Sequence, residues 1–133
     1  MIDHEKESMV LDAVQRFLEK EVRPVAHKLE HDDVWPAEIV GKMKTMGLFG
    51  CIIEERHGGL GLSTSAYARI IEKISEVWMS VAGIINSHLI MAAAVQRAGT
   101  AEQKERFLPR FASGDIRGGL ALTEPDCGTD LQA

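Results

Sequence analysis

Positive charge is in short supply in this chain: 15 lysines and arginines stand against 20 aspartates and glutamates, a net charge of −5 over 133 residues. Nucleic acids and anionic lipid surfaces attract proteins with a clustered positive face, so neither is an expected partner. Cysteine is equally scarce. The two present, Cys51 and Cys127, show no CxxC or Cys/His spacing, and a chain able to build a core has no need of a disulfide framework. A reducing compartment, by default the cytoplasm, is the expectation. No carboxylate or histidine pair has metal-ligand spacing, so no metal site is expected. The opening Met1-Ile2-Asp3-His4-Glu5-Lys6-Glu7 places charges where a secretory signal carries its apolar stretch. Repeats, low-complexity tracts and flexible linkers are missing as well, which fits one compact domain.

Apolar residues make up 45% of the chain, enough for a single core. Val10, Val14, Leu18, Val22 and Leu29 recur at three- and four-residue intervals and predict a long amphipathic helix from about Asp3 to Glu30, kinked or restarted at Pro24. A short second helix follows Pro36, with a stripe of Ile39, Val40, Met43 and Met46 and with Gly47 suited to a left-handed cap. Leu48 to Ile53 reads as extended. His57-Gly58-Gly59-Leu60-Gly61 reads as a plain turn, since the spacing of a nucleotide-binding glycine loop is not met. Ser63, Thr64 or Ser65 can cap a third helix bearing Tyr67, Ile70, Ile71, Ile74 and Trp78. Val77 to Gln96 carries no Asp, Glu, Lys or Arg and is about long enough to span a bilayer. Its Ser80, Asn86, Ser87 and His88 argue instead for a helix buried at the centre of a bundle, with His88 a satisfied core histidine. Gly99 closes that helix, and Thr100-Ala101-Glu102-Gln103 has capping-box spacing for a fifth. Pro109 is expected to bend or divide this fifth helix, and Ser113-Gly114-Asp115 to end it.

From Arg117 the pattern changes to that of a strand, Gly118-Gly119-Leu120-Ala121-Leu122, which runs into the turn Thr123-Glu124-Pro125-Asp126-Cys127-Gly128-Thr129-Asp130. Pro125 fixes φ for a turn, Gly128 lets backbone approach a ligand, and Thr123 and Thr129 offer hydroxyls. Such a concave donor site suits a phosphate or the edge of a heteroaromatic ring; a strand ending in an ordinary turn is the equal alternative on local chemistry alone.

The whole chain resembles the amino-terminal part of the acyl-CoA dehydrogenase family. The residues that carry the likeness come in order: Glu21-Val22-Arg23-Pro24, Met46-Gly47-Leu48-Phe49-Gly50, Glu54-Glu55-Arg56-His57-Gly58-Gly59-Leu60-Gly61-Leu62-Ser63 (the family's "PEEYGGLGLS"), Ala98-Gly99-Thr100 with Gln103-Lys104, Phe107-Leu108-Pro109, Ser113-Gly114-Asp115, and finally Leu122-Thr123-Glu124-Pro125-Asp126-Cys127-Gly128-Thr129-Asp130 (the family's "TEPxxGSD"). The resemblance implies an all-α fold of about five helices, residues 1–116, followed by the first strand of a middle β domain, residues 117–133, with the rest of that domain and a further helical bundle outside this chain.

It also implies a flavoenzyme of fatty-acid metabolism. In this family a carboxylate takes the α-proton of an acyl-CoA thioester while hydride leaves the β-carbon for N5 of FAD, and an electron-transfer flavoprotein reoxidises the flavin. Carried over by position, Leu120, Leu122 and Thr123 would lie along the flavin ring, with Thr123 at its pyrimidine edge. Gly128 and Thr129 would approach the FAD pyrophosphate, and Thr129 the CoA arm as well. Ala82 and Asn86, one helical turn apart, would sit beside the acyl chain. The family's base is a Glu beyond residue 133, so no catalytic residue is expected here, and Glu124 reads as a structural group held in its turn. Thr129 stands where Ser is usual, Cys127 where a small residue is usual, and Arg56-His57 where Glu/Tyr is usual. The expected partners are an acyl-CoA, an electron-transfer flavoprotein, the remaining domains and further copies of the protein; FAD binding by this chain alone is expected to be weak or absent. An acyl-CoA oxidase or flavin monooxygenase relative, and a non-catalytic helical interaction module, are the alternatives.

Overall fold

A computed structural model describes residues 3–130. The expected ends of the chain's features, Met1-Ile2 and residues 131–133 of the proposed strand region, lie outside the described residues. Six α-helical stretches form five rods: α1 (His4–Phe17) runs through a π-helical segment (Leu18–Val22) into α2 (Arg23–His31), followed by α3 (Ala37–Thr45), α4 (Thr64–Val77), α5 (Met79–Ala98) and α6 (Ala101–Ala112). α1 packs on α4, α4 on α5 and α5 on α6.

The first rod is continuous through Pro24 because its backbone widens ahead of the proline. Pro24 has no N–H for the carbonyl of Lys20 and its ring crowds that carbonyl. The wide turn of a π segment, with the Arg23 N–H reaching back to the Leu18 carbonyl, accommodates both. The inward stripe is as expected, with Val14, Leu18 and Val22 fully buried. Helix ends follow local chemistry. Asp3 and Ser63 accept the backbone N–H three residues on, Thr100 and Gln103 form the reciprocal capping box, and Gly47 is left-handed at φ 73°.

Four expectations need correction. Leu48 to Ile53 is not extended: Leu48–Gly50 is a 3-10 turn and the segment folds compactly. Its backbone groups bond locally and to residues 60–62, and α5 adds Gln96, whose side chain donates to the Ile52 carbonyl (3.2 Å) and accepts from the adjacent Glu54 N–H (2.9 Å). Pro109 does not divide α6, which runs unbroken from Ala101 to Ala112. Both Pro109 and Glu105, whose carbonyl the proline leaves without a donor, lie on the exposed side where water can serve. No strand forms among the described residues after Arg117; an isolated bridge between Glu124 and Cys127 is what appears, because a strand needs a partner to take its ladder bonds. Finally, α5 is not enclosed at the centre. It is long and apolar enough to cross a membrane by length and composition, but Val81, Ala82, Ile85, His88, Leu89 and Ala92 face the core while the opposite side is open.

Candidate functional site

The path of the C-terminal segment is fixed by four contacts before the motif begins. Gly114, at φ 72°, turns the chain out of α6. The Ile116 N–H donates to the Arg110 carbonyl at 3.3 Å, and Ile116 packs into a small cluster with Phe107 and Met91. The Arg117 guanidinium lies 5.2 Å from the centre of the Trp35 ring. Gly118 passes so close to α5 that a Cβ there would stand 2.5 Å from Met91 Cε.

Beyond Gly118 the chain runs in the open. Leu120 and Leu122 are 49% and 55% exposed, and Thr123, Gly128 and Thr129 are exposed too. The bend is held by a reciprocal backbone pair, Glu124 N–H to Cys127 carbonyl at 2.9 Å and Cys127 N–H to Glu124 carbonyl at 3.3 Å, with Pro125 presetting φ between them. The Glu124 side chain is exposed and makes no bond among the described residues; its backbone is what holds the turn. Thr123, Gly128 and Thr129 have no internal partner for their N–H groups among the described residues, nor have the two threonine hydroxyls. A Cβ at Gly128 would meet nothing within 4 Å, so this chain's own packing does not require glycine there. Two exposed leucines followed by unspent donors and a bare backbone position fit a flat heteroaromatic ring continued by an anionic group.

Ala82 and Asn86, the other expected site residues, lie on α5. Ala82 is 2% exposed and belongs to the core, and half-buried Asn86 accepts a hydrogen bond from the Tyr67 hydroxyl. The positions that face outward are Ser80, Gly83, Ser87 and Ile90. With Trp35, Ile84, Arg117 and Gly118, the first three of these line a shallow cleft of about 540 Å³. The signal that could have found them is the core repeat Val81, Ile85, Leu89, Ala92, which fixes the rotation of α5 and leaves Gly83, Ser87 and Ile90 opposite.

His88 is a structural pin. Its Nε2 lies 3.1 Å from both the Phe49 and the Phe111 carbonyls, which both accept, so Nε2 carries the hydrogen and donates to the pair. Phe49 and Phe111 also meet the imidazole edge-on. Burial lowers its pKa, partly opposed by the two carbonyls. The glycine-rich turn is spent internally: the N–H groups of Gly58, Gly59, Leu60 and Gly61 donate to the carbonyls of Glu55, Glu54, Gly50 and Ile53. It has no donors left for a phosphate. Cys51 is buried and its thiol pushed up to about 12 by desolvation, so it is not a nucleophile. No metal-binding group of His, Cys, Asp and Glu occurs among the described residues.

The family model described as "Acyl-CoA dehydrogenase, N-terminal domain" matches residues 4–115, and the chain belongs to that family. It is 37% identical over 128 residues to acryloyl-CoA reductase (NADH) of Anaerotignum propionicum, covering 96% of this chain and 32% of the relative. It superposes on butyryl-CoA dehydrogenase of Megasphaera elsdenii with a TM-score of 0.87 at 26% identity, covering 98% of this chain and 35% of the other. A chain from a structure described as the electron transferring flavoprotein of Acidaminococcus fermentans matches with a TM-score of 0.88 at 30% identity, again over 98% and 35%. The chain thus spans about a third of the length of the relatives it matches.

Proposed function

We propose that this chain supplies the amino-terminal wall of a flavin-dependent acyl-CoA dehydrogenase, and that residues 117–130 begin its middle domain after a helical domain ending at residue 116. The observation that carries the reading is the open motif, with Leu120 and Leu122 exposed and the N–H groups of Thr123, Gly128 and Thr129 without a partner among the described residues; in the reading the leucines face the flavin, Thr123 serves its pyrimidine edge, and Gly128 and Thr129 serve the pyrophosphate. FAD, when bound, supplies the hydride acceptor. The chain's own residues orient it, while Gly83, Ser87 and Ile90 of α5 give the acyl chain a surface free of charge. Thr129 serves the CoA arm of the thioester, and Ala82 and Asn86 support the acyl surface from behind, Asn86 through its bond to Tyr67. The family resemblance supports a general base contributed from outside these residues. The likeness to a chain solved with an electron transferring flavoprotein supports such a flavoprotein as the electron acceptor. The exposed leucines support contact with the remaining domains and with other copies of the protein. The cytoplasm is the proposed compartment, supported by two cysteines that are both free thiols.

Purified residues 1–133 titrated with FAD are expected to stay without a flavin absorption band, because one wall does not repay the cost of ordering the cofactor; a stoichiometric yellow protein would overturn that expectation. A second outcome concerns Gly128→Ala. Its melting temperature without FAD should match the parent's, since the added methyl meets nothing within 4 Å. In the full-length enzyme FAD affinity should fall by about tenfold or more as the methyl takes the space of the pyrophosphate, equivalent to about 1.4 kcal/mol. Equal affinity in a flavin titration would remove Gly128 from the site.

A further inference from the structure

The cleft along α5 has two ends. Gly118, two residues ahead of the flavin-facing Leu120, marks one, and Trp35 with Ser80 marks the other. On the far side of Trp35 lies a second cleft of about 330 Å³ lined by Leu29, Val34, Pro36 and Trp78 together with the carboxylates Glu30 and Asp33, and the two clefts share Trp35, Ser80 and Ile84. The Trp35 indole, 54% exposed, is with Ser80 and Ile84 common to the lining of both hollows. Trp35 does not stand by packing alone. The loop that carries it leaves α2 through Asp33 in a left-handed conformation, φ 52°, and Arg117 stacks on the ring from the segment that leads to the motif. A guanidinium over an indole is a pairing worth keeping where both are half in water. It ties the wall of the cleft to the strand region that carries the flavin contacts.

We infer that Trp35, pinned by Arg117, is the end wall of the acyl groove and sets the length of acyl chain the enzyme takes. The inference rests on the reading of α5 as the acyl surface. An acyl chain that starts at the flavin end and runs along Gly118, Ser87 and Gly83 meets the indole edge. A short chain stops in front of it. A longer one must pass the ring into the second cleft, where Leu29, Val34 and Trp78 offer apolar contact and the Glu30 carboxylate is already engaged by Trp78 and Ser80. Arg117 itself lines the groove beside the indole.

The test measures kcat/KM of the full-length, FAD-loaded enzyme on straight-chain acyl-CoA thioesters of increasing length. Trp35→Ala is expected to raise the ratio of long-chain to short-chain kcat/KM by about tenfold, since each methylene newly taken out of water is worth about fourfold. The change should appear in KM for the long substrates, with kcat on the short ones held. Arg117→Gln, which frees the ring without removing it, should move the ratio the same way by about threefold, and Trp35→Phe should stay near the parent. Should Trp35→Ala fail to fold, the Arg117→Gln profile decides. Active variants whose length profile matches the parent's overturn the inference and leave the dehydrogenase reading standing. A parent enzyme that oxidises no acyl-CoA of any length overturns both.

Discussion

Gly59→Ala will unfold the chain far more readily than any other single methyl added to its glycine-rich turn. A Cβ at this position would lie 2.0 Å from the Ile53 carbonyl oxygen, 2.5 Å from its carbon and 2.6 Å from the Gly50 carbonyl oxygen. All three are backbone atoms, so no rotamer change relieves the clash. Both carbonyls are also in use, Ile53 by the Gly61 N–H at 2.8 Å and Gly50 by the Leu60 N–H at 2.9 Å. Moving them breaks the turn that satisfies the 48–61 segment. Overpacking of this kind costs about 3 kcal/mol or more. The control is Gly58→Ala, where nothing lies within 4 Å and the cost is that of the positive φ, 81°, about 1 kcal/mol. Urea unfolding at constant m-value separates the two; equal midpoints would show that the turn is not packed as described.

The second large effect belongs to His88. Removing the ring leaves a cavity between Phe49 and Phe111 and takes the donor from the Phe49 carbonyl, while the Phe111 carbonyl keeps the Gly114 N–H at 3.0 Å, so His88→Ala should cost about 3 kcal/mol. His88→Gln, whose amide offers two N–H donors, should lose much less. The pH dependence has a definite sign. The folded-state pKa is lowered from 6.5 by burial, with Arg117 adding to the shift and the Phe49 and Phe111 carbonyls opposing it. Protonation therefore favours the unfolded chain: stability is complete above about pH 6.5 and is lost as pH falls from there through the depressed folded value. Glu7 acts lower on the scale. Its carboxyl is held below 4.5 by hydrogen bonds from Ser63, so its contribution is lost only as pH falls below that value. Melting curves between pH 7 and 5 should decline for the parent and stay nearly flat for His88→Gln. A parallel decline in both would move the effect away from His88.

These two positions also mark where sequence reasoning reached and where it stopped. Helix boundaries were legible because capping is local: Ser63, Thr100 with Gln103, and Gly47 each act within a few residues of themselves. The turn at Gly58 to Gly61 was legible for the same reason. The compact course of Leu48 to Ile53 was not, since its hydrogen-bond partners Gln96 and His88 come from about forty residues away. A run of apolar residues cannot show that its carbonyls are spoken for from another helix. The rotation of α5 is less plain in the sequence, because its uniform composition blurs the periodicity that points a helix toward its core; in the structure Ala82 is buried while Gly83 and Ser87 face outward. The turn at Glu124 to Cys127 was legible from Pro125, and the strand ahead of it was not realised, because no segment among the described residues pairs with it.

The central claim is that residues 120–129 are held open for a flavin. Amide hydrogen exchange of the full-length enzyme, with and without FAD, tests it most directly, because the N–H groups of Leu120, Leu122, Thr123, Gly128 and Thr129 have no internal partner among the described residues to slow them. The account predicts that FAD slows exchange in this stretch while α1 to α3 remain as they were. Exchange in residues 120–129 that stays equally fast in the loaded enzyme would contradict it.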